Sequence, residues 1–325
     1  MTPALSIVAT LYRSSSTLAA FHTRISAAAA GLAPDYEIVF VNDGSPDDSL
    51  AVALALQAAD ARVRVVDLSR NFGHHKAMMT GLAHARGALV FLIDADLEEP
   101  PELLSSFHAA LGAQQADVVY GVQPVRRGGW FERLSGWAYF KVFNWISDVP
   151  IPVNVVTVRL MTRRYVEALL QHRERETIIA GLWAITGFAQ VPQPVTKGEN
   201  TGSSYSLSRK IAILVNSITS FSDRPLIAIF YLGVFIGSVA SLAAVYLVIQ
   251  RTFFGVALPG WPSLIVSVWM LGGLMLASLG IIGIYVSRIF IETKQRPYTI
   301  VRQVYERTGS GDTPGPAADG RTLLR

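Results

Sequence analysis

Four carboxylates fall close together in "VFLIDADLEEPPELL", residues 90 to 104: Asp94, Asp96, Glu98 and Glu99. They follow the apolar run Val90 to Ile93 and precede two prolines. Like charges this close repel one another unless a cation joins them. Hard oxygen ligands suit Mg²⁺ or Mn²⁺, and such an ion also takes substrate phosphate oxygens. The plainer alternative is a solvated helix N-terminus before "PPELL", where acids favour the dipole. Glu99 fits that alternative, whereas Asp94, Asp96 and Glu98 fit a metal site. His74 and His75 invite a metal reading as well. No third nitrogen ligand has suitable spacing, so they read as loop or helix-start residues near a substrate.

The elements that must position these groups recur along the first two thirds of the chain. Strand-like runs are "LSIVAT", "YEIVFVND", "VRVVDLS", "ALVFLIDAD" and "ADVVYGV". Helical stretches at 16–31, 48–59, 74–86 and 101–111 separate them. This alternation predicts an α/β domain with a mostly parallel sheet covered on both faces. Ligands of such sheets bind beyond the carboxyl ends of the strands. The polar segments "TLYRSSS", "NDGSPDD", "SRNFGHHKA" and "DADLEE" all fall there.

Composition points elsewhere as well. The 325 residues are 51% hydrophobic and 16% charged, with a mean hydropathy of +0.36. Soluble domains average about 25% charged residues. The deficit lies in two uncharged runs, 225–249 and 261 to Arg288. Each is long enough to cross a bilayer, and a short connector makes them a hairpin over 225–290. Arg209, Lys210, Arg224, Arg288, Lys294, Arg296 and Arg302 flank the outer ends, and Arg251 lies in the connector. The positive-inside rule places the large domain and the C-terminal tail in the cytoplasm. The net charge of +4 is too modest to argue for nucleic acid, and the clustered bases suit an anionic bilayer surface. With no cysteine, disulfides and thiolate metal sites are excluded. "MTPALSIVATLY" has no basic run or cleavage site and reads as a first strand, not a signal peptide.

Several motifs in order, "NDGSPDDS", "LSRNFGHHKAM", "DADLEEPPE", "RLMTRRYVEAL" and "SITSFSDRPL" before two apolar runs, resemble family 2 glycosyltransferases. The group most resembled is the polyprenyl-phosphate glycosyltransferases related to dolichol-phosphate mannose synthase. The resemblance implies a GT-A fold, Rossmann-like, over 1–205. It implies a nucleotide-sugar donor, a divalent metal (Mg²⁺ or Mn²⁺), and a polyprenyl phosphate acceptor such as undecaprenyl phosphate. On the donor side it marks Thr10, Tyr12, Asp43, Arg70 and Asp94. Asp94 and Asp96 match the DxD motif, with Glu98 also facing the metal. Asp96 and Arg159 carry the catalytic assignment. A phosphate acceptor is already anionic near neutral pH, so positioning and charge stabilisation are the protein's main tasks.

The chain departs from the family on the acceptor side. Relatives often read Asp-Ala-Gly-Asp-Phe-Arg-Leu-Met where this chain has "NVVTVRLM", so Asn154 and Thr157 replace two acids. Asn42 stands where an Asp is common, Ala180 where an arginine is frequent, and Ser204 where a lysine is frequent. Asn154, Thr157 and Lys197 are the acceptor-side candidates. The departure motivates a rival reading, a non-catalytic membrane scaffold derived from the enzyme. A processive polysaccharide synthase would carry a Gln-x-x-Arg-Trp motif and more spans, which this chain lacks. A flippase or channel subunit fits poorly with a strand-end carboxylate site.

Aromatic and basic residues alternate in 128–147, with Trp130, Trp137, Trp145, Arg133 and Lys141, and predict an interfacial helix. Residues 206–224 predict a second, leading into the first span. Residues 291–307 then return to the cytoplasm, and 308–325 reads as a disordered tail. Glycines in the spans permit close packing, and family relatives can form tetramers, so a homo-oligomer is an expectation.

Overall fold

The computed structural model describes residues 2–123, 154–172, 179–196, 222, 224–254 and 260–307. Two compact units are present, the larger built from the N-terminal region together with the segment from Arg296 onward.

In the larger unit, strands β1 (Leu5–Leu11), β2 (Tyr36–Asn42) and β3 (Val63–Leu68) are buried at every position. Near-continuous apolar runs are what a parallel strand covered on both faces requires. β4 (Leu89–Leu92) lies parallel to β1, and β1, β2 and β3 are parallel neighbours. Helices α1 (Leu18–Ala30), α2 (Ser49–Ala59), α3 (His74–His84) and α4 (Leu103–Ala113) fall where the periodicity predicts them. The strand expected over 88–96 is shorter, because the chain leaves the sheet after Leu92 to make the carboxylate turn.

Three further strands and two helices, with an edge strand from the C-terminal segment, complete the unit. β5 (Val118–Val122), β6 (Val155–Thr162), β7 (Gln190–Pro194) and β8 (Val301–Tyr305) give an eight-stranded sheet ordered β7-β5-β6-β4-β1-β2-β3-β8. β6 runs antiparallel between β4 and β5, and β8 runs antiparallel to β3 at the edge. Helices α5 (Arg163–Leu169) and α6 (Ile179–Ile185) follow β6.

Each face of the sheet has its own core. Phe21, Ile25 and Phe107 of α1 and α4 pack on Phe40 and Phe91. Met78, Met79 and Leu82 of α3, with Tyr165 and Leu169 of α5, pack on Val8, Val41 and Val90. A Cβ at Gly81 would sit 2.5 Å from Val8 Cγ1, so glycine is what lets α3 lie this close to the sheet.

The smaller unit contains helices α7 (Arg224–Phe254) and α8 (Trp261–Thr293). Among the described residues, one helical segment, Ser267–Thr293, is long and apolar enough to cross a membrane, with a mean hydropathy of 2.0. The sequence predicts two such spans. Over α7 the described apolar stretch is the shorter Arg224–Ala240. The expected interfacial helix at 128–147, Lys197 and the tail at 308–325 lie outside the described residues, as does 206–224 apart from Ser222 and Arg224.

Candidate active site

The loops after β1, β2, β3 and β4 meet at the carboxyl end of the sheet. Tyr12, half exposed, follows β1, and Arg13 takes a positive φ of 56°. The backbone N–H of Arg13 donates to Ser45 Oγ at 2.8 Å, and that of Ser15 donates to Asp47 Oδ2 at 3.1 Å. Ser49 Oγ donates to Asp47 Oδ1 at 2.6 Å. Burial opposes ionisation of Asp47, but these hydrogen bonds outweigh it and hold its carboxyl below the usual range. The first two loops are thereby tied together.

Asp43 ties in the third. It is 2% exposed, and its carboxylate accepts the backbone N–H of Phe72 at 2.7 Å and of Gly73 at 3.1 Å. Burial pushes its pKa up, against the two hydrogen bonds. Gly44, at φ +57°, lies so close to the next loop that a Cβ would come within 2.4 Å of Asn71 N. Asn42, where relatives often have Asp, donates from Nδ2 to buried Asp67 Oδ1 at 2.7 Å. A carboxylate there would face a second carboxylate, so the amide suits this neighbour. Arg70 is exposed, with its guanidinium over the Phe72 ring and Nη1 donating to Asn71 O at 2.8 Å.

The carboxylate turn follows β4. Asp96 is exposed and its Oδ1 accepts the backbone N–H of Glu98 at 2.9 Å, around Leu97 at φ 63°. Asp94 lies 3.4 Å from His74 Nε2, whose Nδ1 is 3.1 Å from Thr10 Oγ1. His74 therefore links Thr10 of β1 to Asp94. The sequence places it near the substrate without a role, and its position at the N-terminus of α3 supplies one. The three-carboxylate metal cluster expected of Asp94, Asp96 and Glu98 does not form. No group of three His, Cys, Asp or Glu residues converges among the described residues. The turn at Leu97 folds Asp96 onto its own backbone and Asp94 leans to His74. Two oxygen-donor side chains at an open strand end still fit a hard divalent ion that completes its shell with phosphate and water. Glu99 corrects the sequence reading in the other direction. It is fully buried rather than solvated, because α4 begins later, at Leu103 with Glu102 as its N-cap.

The second half of the site is built on β6. Arg159 pairs with Leu92 of β4 and with Tyr120 of β5. Thr157 lies two residues before Arg159 on the same strand. Arg159 is 1% exposed, with Nε donating to Thr157 O at 3.1 Å, Nη2 donating to Val156 O at 3.2 Å, and its guanidinium over the Trp183 ring. No carboxylate pairs with it among the described residues. Burial lowers its pKa to about 9, so it is charged at neutral pH. A cavity of about 250 Å³ opens here, lined by Tyr120, Arg159, Ala180, Trp183 and Phe188 among others. Trp183 Nε1 is a buried donor with no acceptor among the described residues. Sequence reasoning missed Tyr120, Trp183 and Phe188. The aromatics of "GLWAITGF" are the signal that could have found the last two. Asn154 takes a φ of 60°, and its carbonyl accepts the backbone N–H of Gln123 at 3.1 Å.

Comparisons with known proteins assign this architecture to a family. The model of "Glycosyl transferase family 2" matches residues 6–170. A protein of Mycobacterium tuberculosis (strain CDC 1551 / Oshkosh) that carries a glycosyltransferase name is 54% identical, over 93% of this chain and 88% of its own. A bactoprenol glucosyl transferase of Shigella phage SfV is 35% identical, over 82% of this chain and 88% of its own. Among solved structures, a mannosyltransferase of Pyrobaculum calidifontis in complex with GDP-Man and Mn²⁺ aligns with a TM-score of 0.48 at 16% identity, over 91% of this chain and 88% of that one. With the mostly parallel α/β sheet of a GT-A fold and a family match across half its length, this chain belongs to glycosyl transferase family 2.

Proposed function

We propose that this glycosyltransferase moves a sugar from a nucleotide-sugar donor to a polyprenyl phosphate, with undecaprenyl phosphate as the bacterial form, at the cytoplasmic face of a membrane. The observation that carries the reading is Arg159, a buried cation with no carboxylate partner among the described residues, one strand away from the Asp94–Asp96 turn. An anion is what such a group needs, and a phosphate supplies it. The bactoprenol glucosyl transferase relative favours a lipid phosphate as acceptor.

Thr10, Tyr12, Asp43 and Arg70 surround the nucleotide, and Asp43 holds the loop that receives it. Asp94 and Asp96 would hold Mg²⁺ or Mn²⁺, which would neutralise diphosphate charge. An acceptor phosphate oxygen attacks the anomeric carbon. The bond from that carbon to the donor's β-phosphate oxygen breaks, its electron pair leaves with the nucleoside diphosphate, and the anomeric centre inverts. Arg159 gives positive charge to the phosphates that gather there. Asn154, Thr157 and Lys197 are the candidates for contacts to the acceptor.

Two spans at 225–249 and 261–288 would form a hairpin, with both ends cytoplasmic. The chain has no native cysteine, so single cysteines report topology cleanly. A cysteine at Val256 is expected to label from outside intact cells, and cysteines at Ser49 and Gly311 are not; external labelling of the last two rejects the hairpin. The function itself is tested with UDP- and GDP-sugars offered against undecaprenyl phosphate in detergent. Transfer to the lipid supports the proposal, and failure across the panel by folded, metal-supplied protein sinks it in favour of the scaffold reading.

A further inference from the structure

Past the long helices the chain rejoins the catalytic sheet as β8, beside β3. The contacts it makes there reach the donor loops. Asp67 is 1% exposed near the end of β3. A buried carboxylate is costly unless it is paired and hydrogen-bonded. Its Oδ1 accepts Asn42 Nδ2 at 2.7 Å and its Oδ2 accepts Arg302 Nη1 at 3.0 Å. Arg302 Nη2 also donates to Ser69 O at 2.8 Å, while Ser69 N donates to Ile300 O at 2.9 Å. Ser69 is thus held on both its N–H and its C=O by the returning segment, immediately before Arg70. Asn42, in turn, accepts Ser45 N through Oδ1 at 3.3 Å and precedes Asp43, the residue that binds Phe72 and Gly73.

We propose that Arg302 is a positioning residue for the donor site: by pairing with Asp67 and Ser69 it fixes Asn42, and with it the Asp43 and Arg70 loops that receive the nucleotide sugar. The inference rests on the reading of those loops as the donor half. The loop at residues 69–73 then has two anchors. Asp43 holds it from within the sheet, and Arg302 with Ile300 holds it from the edge strand. A segment that follows the membrane helices in sequence becomes part of the nucleotide site.

Arg302→Met keeps the aliphatic stem and removes the donors. The donor KM is expected to rise about tenfold, the scale of a lost hydrogen bond to a charged group, with kcat and acceptor KM nearly unchanged. Amide exchange over residues 69–73 is expected to quicken in the same variant. Arg302→Lys keeps the charge on Asp67 but loses the fork to Ser69, so it should recover part of the loss. In the double variant Asp67→Asn with Arg302→Met, the buried charge is gone and Asn42 retains an acceptor. That variant should recover the part of the donor affinity that depends on Asp67 and Asn42 but not the part held through Ser69, and it carries the test if Arg302→Met alone does not fold. Unchanged donor KM and unchanged exchange in Arg302→Met overturn the proposal. So does a double variant no better than the single one, which would mean that Arg302 touches the donor itself. If no nucleotide sugar is ever turned over, the donor reading fails, yet the exchange of residues 69–73 still decides whether Arg302 positions the loop.

Discussion

On the β1–β3 side of the strand ends, the protein satisfies its own polar groups. Asp43 is held by two backbone N–H groups, Asn42 by Asp67 and Ser45, and Asp47 by a ring of serines. On the β5–β6 side, among the described residues, Arg159 is buried with backbone carbonyls but no carboxylate as partners, and Trp183 Nε1 is buried with no acceptor. The first arrangement is a preorganised surface whose shape exists before the ligand arrives. The second is a charge that a ligand must complete. Fixed loops suit a nucleotide, whose rim is recognised by shape and hydrogen bonding, whereas an uncompensated guanidinium suits a phosphate. Mutations on the two sides should therefore separate binding, stability and rate in opposite ways.

The largest effect is expected between the two sides, at the carboxylate turn. Asp96→Asn keeps size and hydrogen bonding but removes charge, so the fold should survive while transfer falls by about 10²-fold or more. A titration with Mg²⁺ and Mn²⁺ reads this directly, and wild-type activity at every metal concentration would count against a metal at this turn. Arg159→Met comes next and sharpens the contrast. Removing a buried cation that lacks a carboxylate partner should leave thermal stability unchanged or raised, because replacing buried charge by apolar volume is often neutral or stabilising. Transfer should nevertheless drop by about 10²-fold, on the scale of losing one charge-stabilising group. A large loss of Tm would show instead that Arg159 holds the fold together.

Most of the preorganised side is legible in the sequence. β1, β2 and β3 announce themselves as apolar runs ending in polar clusters, and Asp43, Asp94 and Asp96 follow from those ends. The arginine side is less legible for physical reasons. β6 reads "VVTVRLMT", a strand whose apolar alternation is broken by Arg159, and its neighbours in the sheet come from distant parts of the chain. Trp183 and Phe188 look like ordinary core residues until β5, β6 and α6 are brought together around one cavity. In sequence β8 reads only as a cytoplasmic return, and its pairing with β3 depends on a contact between residues far apart in the chain. The reading of Glu99 fails for a local reason: the two prolines that follow it delay the helix, leaving its side chain in the interior rather than on a first turn.

A smaller effect is expected where this chain departs from its relatives. Asn154 accepts the backbone N–H of Gln123, and Thr157 lies two residues before Arg159 on β6. Restoring Asp at both positions would add two carboxylates around the start of the strand that carries Arg159. If the departure tunes acceptor or sugar geometry, the double Asp variant should transfer about tenfold less, on the scale of a like-charge penalty of about 1–2 kcal/mol. A large gain in rate would show instead that these positions mark lost catalysis, and would favour the scaffold reading.

The smallest effect concerns pH and the Asp43 carboxyl. Burial raises its pKa, so the folded protein holds this proton more tightly than the unfolded chain does. The sign for stability follows: at this group acid favours the fold, and the cost of a buried carboxylate appears as pH rises through the raised pKa. The sign for donor binding is opposite. The carboxylate accepts both Phe72 N and Gly73 N, and protonation weakens that grip on the loop. Donor affinity should therefore fall several-fold as pH drops from about 7 into the carboxylate range above about 4. Asp43→Asn offers a neutral acceptor at every pH, so it should begin with weaker donor binding and show a flatter profile. His74 lies against Thr10 and Asp94, so the two profiles are best compared in a His74→Gln background. Parallel profiles with and without Asp43→Asn in that background would remove Asp43 as the source of the acid limb. A profile that flattens only when Asp43→Asn is present would assign the limb to the one residue that joins the second and third loops.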